Sequence, residues 1–171
     1  MLTGMITTLD LSFRLAAAVL SGSLIGINRE MHAKPVGVRT LGLVALGSAL
    51  VTLSGSGFSG DLTDANASRA IQGIVTGIGF LGAGVIVKGE SKKNVHGLTT
   101  AAAIWVTAAL GIVCGLGAFM PVAIALGLML LLLSVGGFVD RAVHDHWERK
   151  RVVKTDDDGT ILRPGDQTDA K

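Results

Sequence analysis

From Gly97 to Val139 the chain runs 43 residues without a single Asp, Glu, Lys, Arg or His. A soluble domain carries about 25% charged residues, and this chain carries 16%. In hydrocarbon every backbone N–H and C=O must be satisfied inside a helix or a closed barrel. A helical crossing takes about 20 apolar residues at about 1.5 Å each, so the run holds two crossings and a turn. The turn is written as Gly115-Leu116-Gly117-Ala118-Phe119-Met120-Pro121, a helix stop followed by a restart.

Two further stretches lack charge, residues 40–60 and residues 70–87. With the apolar segment around Arg14 they predict five crossings, at about 9–28, 39–58, 70–87, 97–116 and 119–139. The predicted fold class is all-α, a polytopic membrane helical bundle over residues 1–140. A basic cytoplasmic juxtamembrane segment and a disordered tail are expected over 141–171. Arg14 leaves the first span a charge-free core of 15–28, about 21 Å at helical rise. Arg14 therefore either snorkels to the interface or turns into the bundle. No positive residue precedes this span and Asp10 stands in front of it, which argues against a cleavable signal peptide.

Of the 15 Lys and Arg residues, all but Arg14 and Arg69 fall into three segments. Arg29, Lys34 and Arg39 lie between the first two spans, and Lys88, Lys92 and Lys93 between the third and fourth. The rest follow Asp140. These are alternate connections of a five-span chain, so the positive-inside rule predicts an external N-terminus and a cytoplasmic C-terminus. The basic residues form no folded face, and no nucleic-acid partner is expected.

The third span contains GIGFLG, residues 77–82, which matches the G-x-G-x-x-G of dinucleotide-binding loops. That loop needs an acidic residue about 20 positions further on, where this chain reads TTAAAIW. The glycines therefore need another reason. Gly73, Gly77 and Gly84 recur along one stripe, with Gly79 and Gly82 on adjoining faces. Gly22-x-x-x-Gly26 and Gly111-x-x-x-Gly115 repeat the pattern elsewhere. Small residues let helix backbones approach closely in lipid. The alternative is a bend, or exposed carbonyls lining a polar path.

Polar residues gather at the cytoplasmic span ends: Asn28, Arg29 and Glu30, then Arg39 and Thr40, then His96, Thr99 and Thr100. Ionisable groups at membrane depth are functional candidates, against the plainer reading of snorkelling anchors. Thr99 and Thr100 also read as helix caps or as hydroxyls bonded back to carbonyls. Glu30 and Arg39 bracket one short loop and are expected to share a polar pocket. At the external end Arg69 opens the third span, where a cation opposes the helix dipole and Asp64 is the expected partner.

No metal or cofactor is expected. Cys114 is alone and reads as a small packing residue. His144-Asp145-His146 lies beside Trp147 and the cluster Arg149, Lys150, Arg151 and Lys154, which reads as a lipid-contacting belt. Asp156-Asp157-Asp158-Gly159 fails as a calcium loop, because Lys154 and Gly165 stand where the flanking acidic ligands belong. No nucleophile–base pair is present, and the chain does not read as an enzyme.

Four blocks, LSGSLIGINRE, VGVRTLGLVALGSAL, ASRAIQGIVTGIGFLGAGVIV and HGLTTAAAIWVTAALGIVCGLG, together resemble the MgtC/SapB family of bacterial inner-membrane proteins over about residues 12–120. The positions that match its motifs are Arg29, Glu30, Arg39, Thr40, Gly77, Gly79, Gly82, Gly84, Gly97, Thr99 and Thr100. The family assigns them no agreed chemistry. The resemblance implies a multi-pass inner-membrane protein linked to scarce magnesium and to survival of pathogens inside host cells. Some members modulate the F-type ATP synthase or the membrane potential. Many carry a soluble ACT-like C-terminal domain, and this chain is expected to be a short form without it. The expected function is regulation of membrane-protein partners under magnesium or acid stress, with the lipid bilayer and a partner protein or second copy as contacts. The rival expectation is a small ion channel or transporter, magnesium-related, working through the Arg and Thr positions at the cytoplasmic span ends.

Overall fold

The computed structural model describes residues 7–58, 65–88 and 95–151, with side chains described for these except 87, 88 and 137–151. Five helices succeed one another, α1 Thr8–Met31, α2 Val38–Gly55, α3 Ala65–Gly84, α4 Leu98–Gly115 and α5 Phe119–Arg151. Four of them, α1, α2, α4 and the Phe119–Gly136 part of α5, are long and apolar enough to cross a membrane. At 20 residues α3 has the length, but Asn66, Ser68, Arg69 and Gln72 dilute its first half.

The helix ends follow local chemistry. Thr7 caps α1, its hydroxyl accepting from the Asp10 N–H at 3.2 Å. α1 stops at a loop that carries Pro35 and Gly37, where Ala33 and Val36 adopt φ of 50° and 67°. α3 stops at Gly84, earlier than the expected 87, because the β-branched Val-Ile-Val that follows leaves the helix. A two-residue antiparallel ladder forms instead, Val87 opposite His96 and Lys88 opposite Val95. At its other end α3 begins at Ala65 rather than near 70. α5 continues past the expected 139 to Arg151. The side chains of His144, Trp147 and Arg149–Arg151, all of Lys154, the Asp156–Gly159 run and the tail lie outside the described residues, as does Asp64.

By internal contacts the chain forms two units, residues 1–130 and 131–171. In the first, α1, α2 and α4 pack on one another, and α3 packs on α2 and α4. Buried positions recur at three- and four-residue spacing: Ala18, Ser21, Gly22, Ile25, Gly26 and Arg29 on α1, and Leu41, Ala45, Ala49 and Leu53 among those of α2. In the second, the described residues continue α5.

The close approaches fall at glycines. A Cβ on Gly22 would fall on the Leu41 carbonyl, one on Gly26 on Val38, and one on Gly111 on the Ala45 carbonyl; one on Gly115 would lie 2.8 Å from the Ala49 carbonyl oxygen. One stripe of α2 thus meets α1 at Val38 and Leu41 and α4 at Ala45 and Ala49, backbone against backbone. The five glycines of α3 behave differently. At Gly73, Gly77, Gly79 and Gly84 a Cβ would meet nothing within 4 Å, and at Gly82 only the Ala101 methyl at 3.7 Å. Within this chain the tight packing expected at GIGFLG is carried by α1 and α4.

Candidate functional site

Arg29 sits at the end of α1 where its charge meets the negative pole of the helix. It is only 2% exposed. Its Nη2 donates to the Pro35 carbonyl at 2.8 Å and to the Thr100 hydroxyl of α4 at 2.6 Å, and its Nε donates to the Val36 carbonyl at 3.3 Å. The loop after α1 therefore folds back over the guanidinium and offers it two carbonyls. Val36 adopts its φ of 67° at a β-branched residue, a conformation that stores of order 1–3 kcal/mol. The hydrogen bond from Arg29 to the Val36 carbonyl is one of the contacts that hold the residue there. The only ion pair among the described residues joins Arg14 to Asp10. A guanidinium stays protonated throughout, so Arg29 is a buried charge held by neutral acceptors and the end of its own helix.

The neighbouring elements meet at the same place. Glu30 turns to the start of α2, where its Oε1 accepts from the Val38 N–H at 3.0 Å. Gly37, the residue before α2, offers no side-chain cap, so Glu30 serves as the cap from outside the helix. This replaces the expected pairing with Arg39. An α2 start with no cap of its own claims the carboxylate first. Gly97, with φ 95°, lets α4 begin directly against the Val85 carbonyl, where any Cβ would collide. Thr100, buried on the first turn of α4, is thereby brought to Arg29. Thr99, one position earlier, is exposed.

The remaining candidates spread out. Asn28 is half-buried, and its carbonyl accepts from His32 Nδ1–H at 2.7 Å. Arg39 and Thr40 are exposed on the first turn of α2. Arg69 is exposed near the start of α3, at the other end of the unit, since the Gly55 end of α2 packs on Asn66, Ala67 and Ala70. That end has its own arginine. Arg14 pairs with Asp10 at 2.8 Å and donates through Nη1 to the Gly115 carbonyl at 2.9 Å, lying over Gly117 with φ 76°. It turns into the bundle rather than to the interface and ties α1 to the end of α4. Sequence reasoning missed the carbonyls of Pro35 and Val36 and the contact of Val85 with Gly97, since backbone partners carry no residue-type signal.

Between the two arginine junctions the buried polar side chains are satisfied from within the protein. Ser21, Thr52 and Thr107 are buried, and each donates to the carbonyl four residues back, at 2.7, 2.8 and 2.7 Å. No buried side-chain polar atom among the described residues lacks a hydrogen bond. No group of three or more His, Cys, Asp and Glu suited to a metal occurs among them. Cys114 is buried in the same core.

The MgtC family pattern matches residues 15–142. Protein SrpB of Synechococcus elongatus is 47% identical over 139 residues, which covers 76% of this chain and 75% of that protein. Protein MgtC of Salmonella typhimurium is 47% identical over 105 residues, covering 61% of this chain and 43% of that protein. Protein MgtC of Brucella abortus is 45% identical over 111 residues, covering 65% and 44%. The match thus spans less than half the length of these MgtC proteins. No solved structure matches the chain. With its run of long apolar helices, the chain belongs to the MgtC family and is a multi-pass helical membrane protein.

Proposed function

We propose that the chain is a non-enzymatic inner-membrane regulator of membrane-protein partners, acting in adaptation to low magnesium, acid or growth inside host cells. The F-type ATP synthase and the membrane potential are the targets that the family resemblance favours. All five helices cross the membrane in this reading, α3 included, with the N-terminus outside and the C-terminus in the cytoplasm.

The observation that carries the reading is the closed interior. A conducting path lines itself with carbonyls or side chains that replace water around an ion. The buried hydroxyls of Ser21, Thr52 and Thr107 bond to their own helices, Arg14 is held by Asp10 and a carbonyl, and Arg29 by carbonyls and the Thr100 hydroxyl. Among the described residues nothing covers Gly73 and Gly84 of α3 within 4 Å, and small residues of this kind suit the approach of another helix. The buried charge of Arg29 favours the second reading, a small ion channel or transporter.

Two measurements on one preparation separate the readings. Purified protein in liposomes should pass no more Mg²⁺ down a gradient than empty liposomes do. Inverted vesicles from cells producing the chain should differ in ATP-driven proton pumping from vesicles lacking it. A Mg²⁺ flux that disappears with Arg29→Gln would replace the regulator with the transporter, and unchanged pumping would remove the synthase as target.

A further inference from the structure

Between α2 and α3 runs an open groove of about 490 Å³, walled by apolar side chains that include Leu43, Val51, Ile74 and Leu81. Its width comes from Gly47 on α2 and Gly77 on α3, both on the lining, where a Cβ would meet nothing within 4 Å. Along α2 the lining extends from Thr40 to Val51, about 16 Å at helical rise. That is about half the roughly 30 Å hydrocarbon layer, the depth of one leaflet.

The groove has a charged end. Arg39 precedes Leu43 by four residues and Gly47 by eight, so it continues their stripe one turn beyond Leu43, next to Thr40 at the end of the lining. It is exposed and makes no ion pair among the described residues. Glu30, the acid nearest to it in sequence, is held on the Val38 N–H. A furrow one leaflet deep, mostly apolar with Thr40 and Ser48 as its polar lining residues, and ended by an exposed guanidinium, matches a lipid with a negative headgroup. Guanidinium meets a phosphate through two parallel N–H donors.

We infer that the α2–α3 groove is a binding site for an anionic phospholipid, an acyl chain lying over Gly47 and Gly77 and the headgroup phosphate on Arg39. A second copy of the chain laying a helix into the same furrow is the competing occupant, and the test distinguishes them.

Native mass spectrometry of the detergent-purified chain, with phosphatidylglycerol or phosphatidylcholine of identical acyl chains added, reads occupancy directly. One arginine near an anionic headgroup contributes about 1 kcal/mol, so the expected preference for phosphatidylglycerol is about fivefold. Arg39→Gln should bring that ratio to about one while lipid is still retained. Gly77→Leu should fill the furrow and lower retention of both lipids severalfold, with helix content and melting temperature kept. Gly47→Leu fills it from the α2 side and serves if the first variant fails to fold. Equal retention of the two lipids by the unmodified chain would overturn the inference. So would undiminished retention in a folded, furrow-filled variant, and a dimer that either glycine variant turns into a monomer would give the furrow to a second copy.

Discussion

Arg29 joins the end of α1 and the loop that follows it, at Pro35 and Val36, to a residue 71 positions away, Thr100 on α4. Removing a partner from a buried hydrogen bond to a charged group costs more than the bond contributed, because the remaining group is stranded. Thr100→Val should therefore lower stability by about 1–3 kcal/mol, whereas Thr100→Ser, which keeps the hydroxyl, should stay within about 0.5 kcal/mol. Arg29→Lys keeps the charge but loses the Nε–Nη2 fork that reaches Val36 together with Pro35 and Thr100, and should cost about 1–3 kcal/mol. Reversible unfolding in detergent measures all three. A double-mutant cycle of Arg29→Met with Thr100→Val should depart from additivity by more than about 0.5 kcal/mol. Strict additivity would mean that the 2.6 Å contact contributes nothing to stability. Both residues were legible as candidates from their types and span-end positions. Their contact was not, since 71 residues separate them and only the antiparallel packing of α1 on α4 brings them together.

At the scale of elements, glycines with the same spacing serve two purposes. Gly111 and Gly115 bring the α4 backbone onto α2 at Ala45 and Ala49, and Gly73 and Gly77 leave α3 bare on that stripe. Gly111→Leu drives a branched side chain into a neighbouring carbonyl and should cost about 3 kcal/mol or prevent folding. Gly77→Leu meets open space within 4 Å, gains helix propensity of up to about 1 kcal/mol and should leave the melting temperature of the isolated chain unchanged or raise it by up to about 4 °C. Thermal melts of the two variants side by side decide the matter, and equal damage would refute the separation of packing from open glycines. The start of α2 supplies a second comparison. Glu30→Ala removes the cap on Val38 and should cost about 1 kcal/mol. Arg39→Met should cost under about 1 kcal/mol, and the two should add, since the residues do not pair. Coupling between them would restore the pocket that their spacing alone invites.

For the whole molecule, α3 decides the topology, since the other four helices are long and apolar enough to cross. α3 starts with polar residues and is kept in the bundle by a narrow face, with Ala67 and Ile78 its buried residues. A crossing α3 places the basic connections on one side and the C-terminus in the cytoplasm. A cytoplasm-dependent fluorescent reporter fused after Lys171 should be bright, and a periplasm-dependent enzyme fused at the same point should be inactive. The reverse pattern would remove α3 from the crossings. Arg14 and Arg29 bear on the same scale. Each fastens α1 to an opposite end of α4, at the Gly115 carbonyl and at Thr100. Two such fastenings make α1 and α4 an antiparallel pair whose register is fixed at both ends.

What the sequence determined by itself is the environment and the kind of structure that survives in it. Lipid offers the backbone no partner, so a 43-residue charge-free run leaves helices as the ready solution, and charge gaps locate their ends to within about five residues, except for α5, which runs on to Arg151. That inference is local, and a local pattern suffices for it. The tertiary structure decided which faces meet. A four-residue glycine repeat specifies a smooth stripe on a helix but not what lies against it. Gly22, Gly26, Gly111 and Gly115 are pressed onto α2, and Gly77 is left lining a furrow. The same holds for charge. Glu30 and Arg39 are close in sequence, yet Glu30 goes to an uncapped N–H and Arg29 to carbonyls that residue type does not announce. The physical reason is that the helices meet through small residues and backbone atoms, which look alike along the chain until their neighbours are in place.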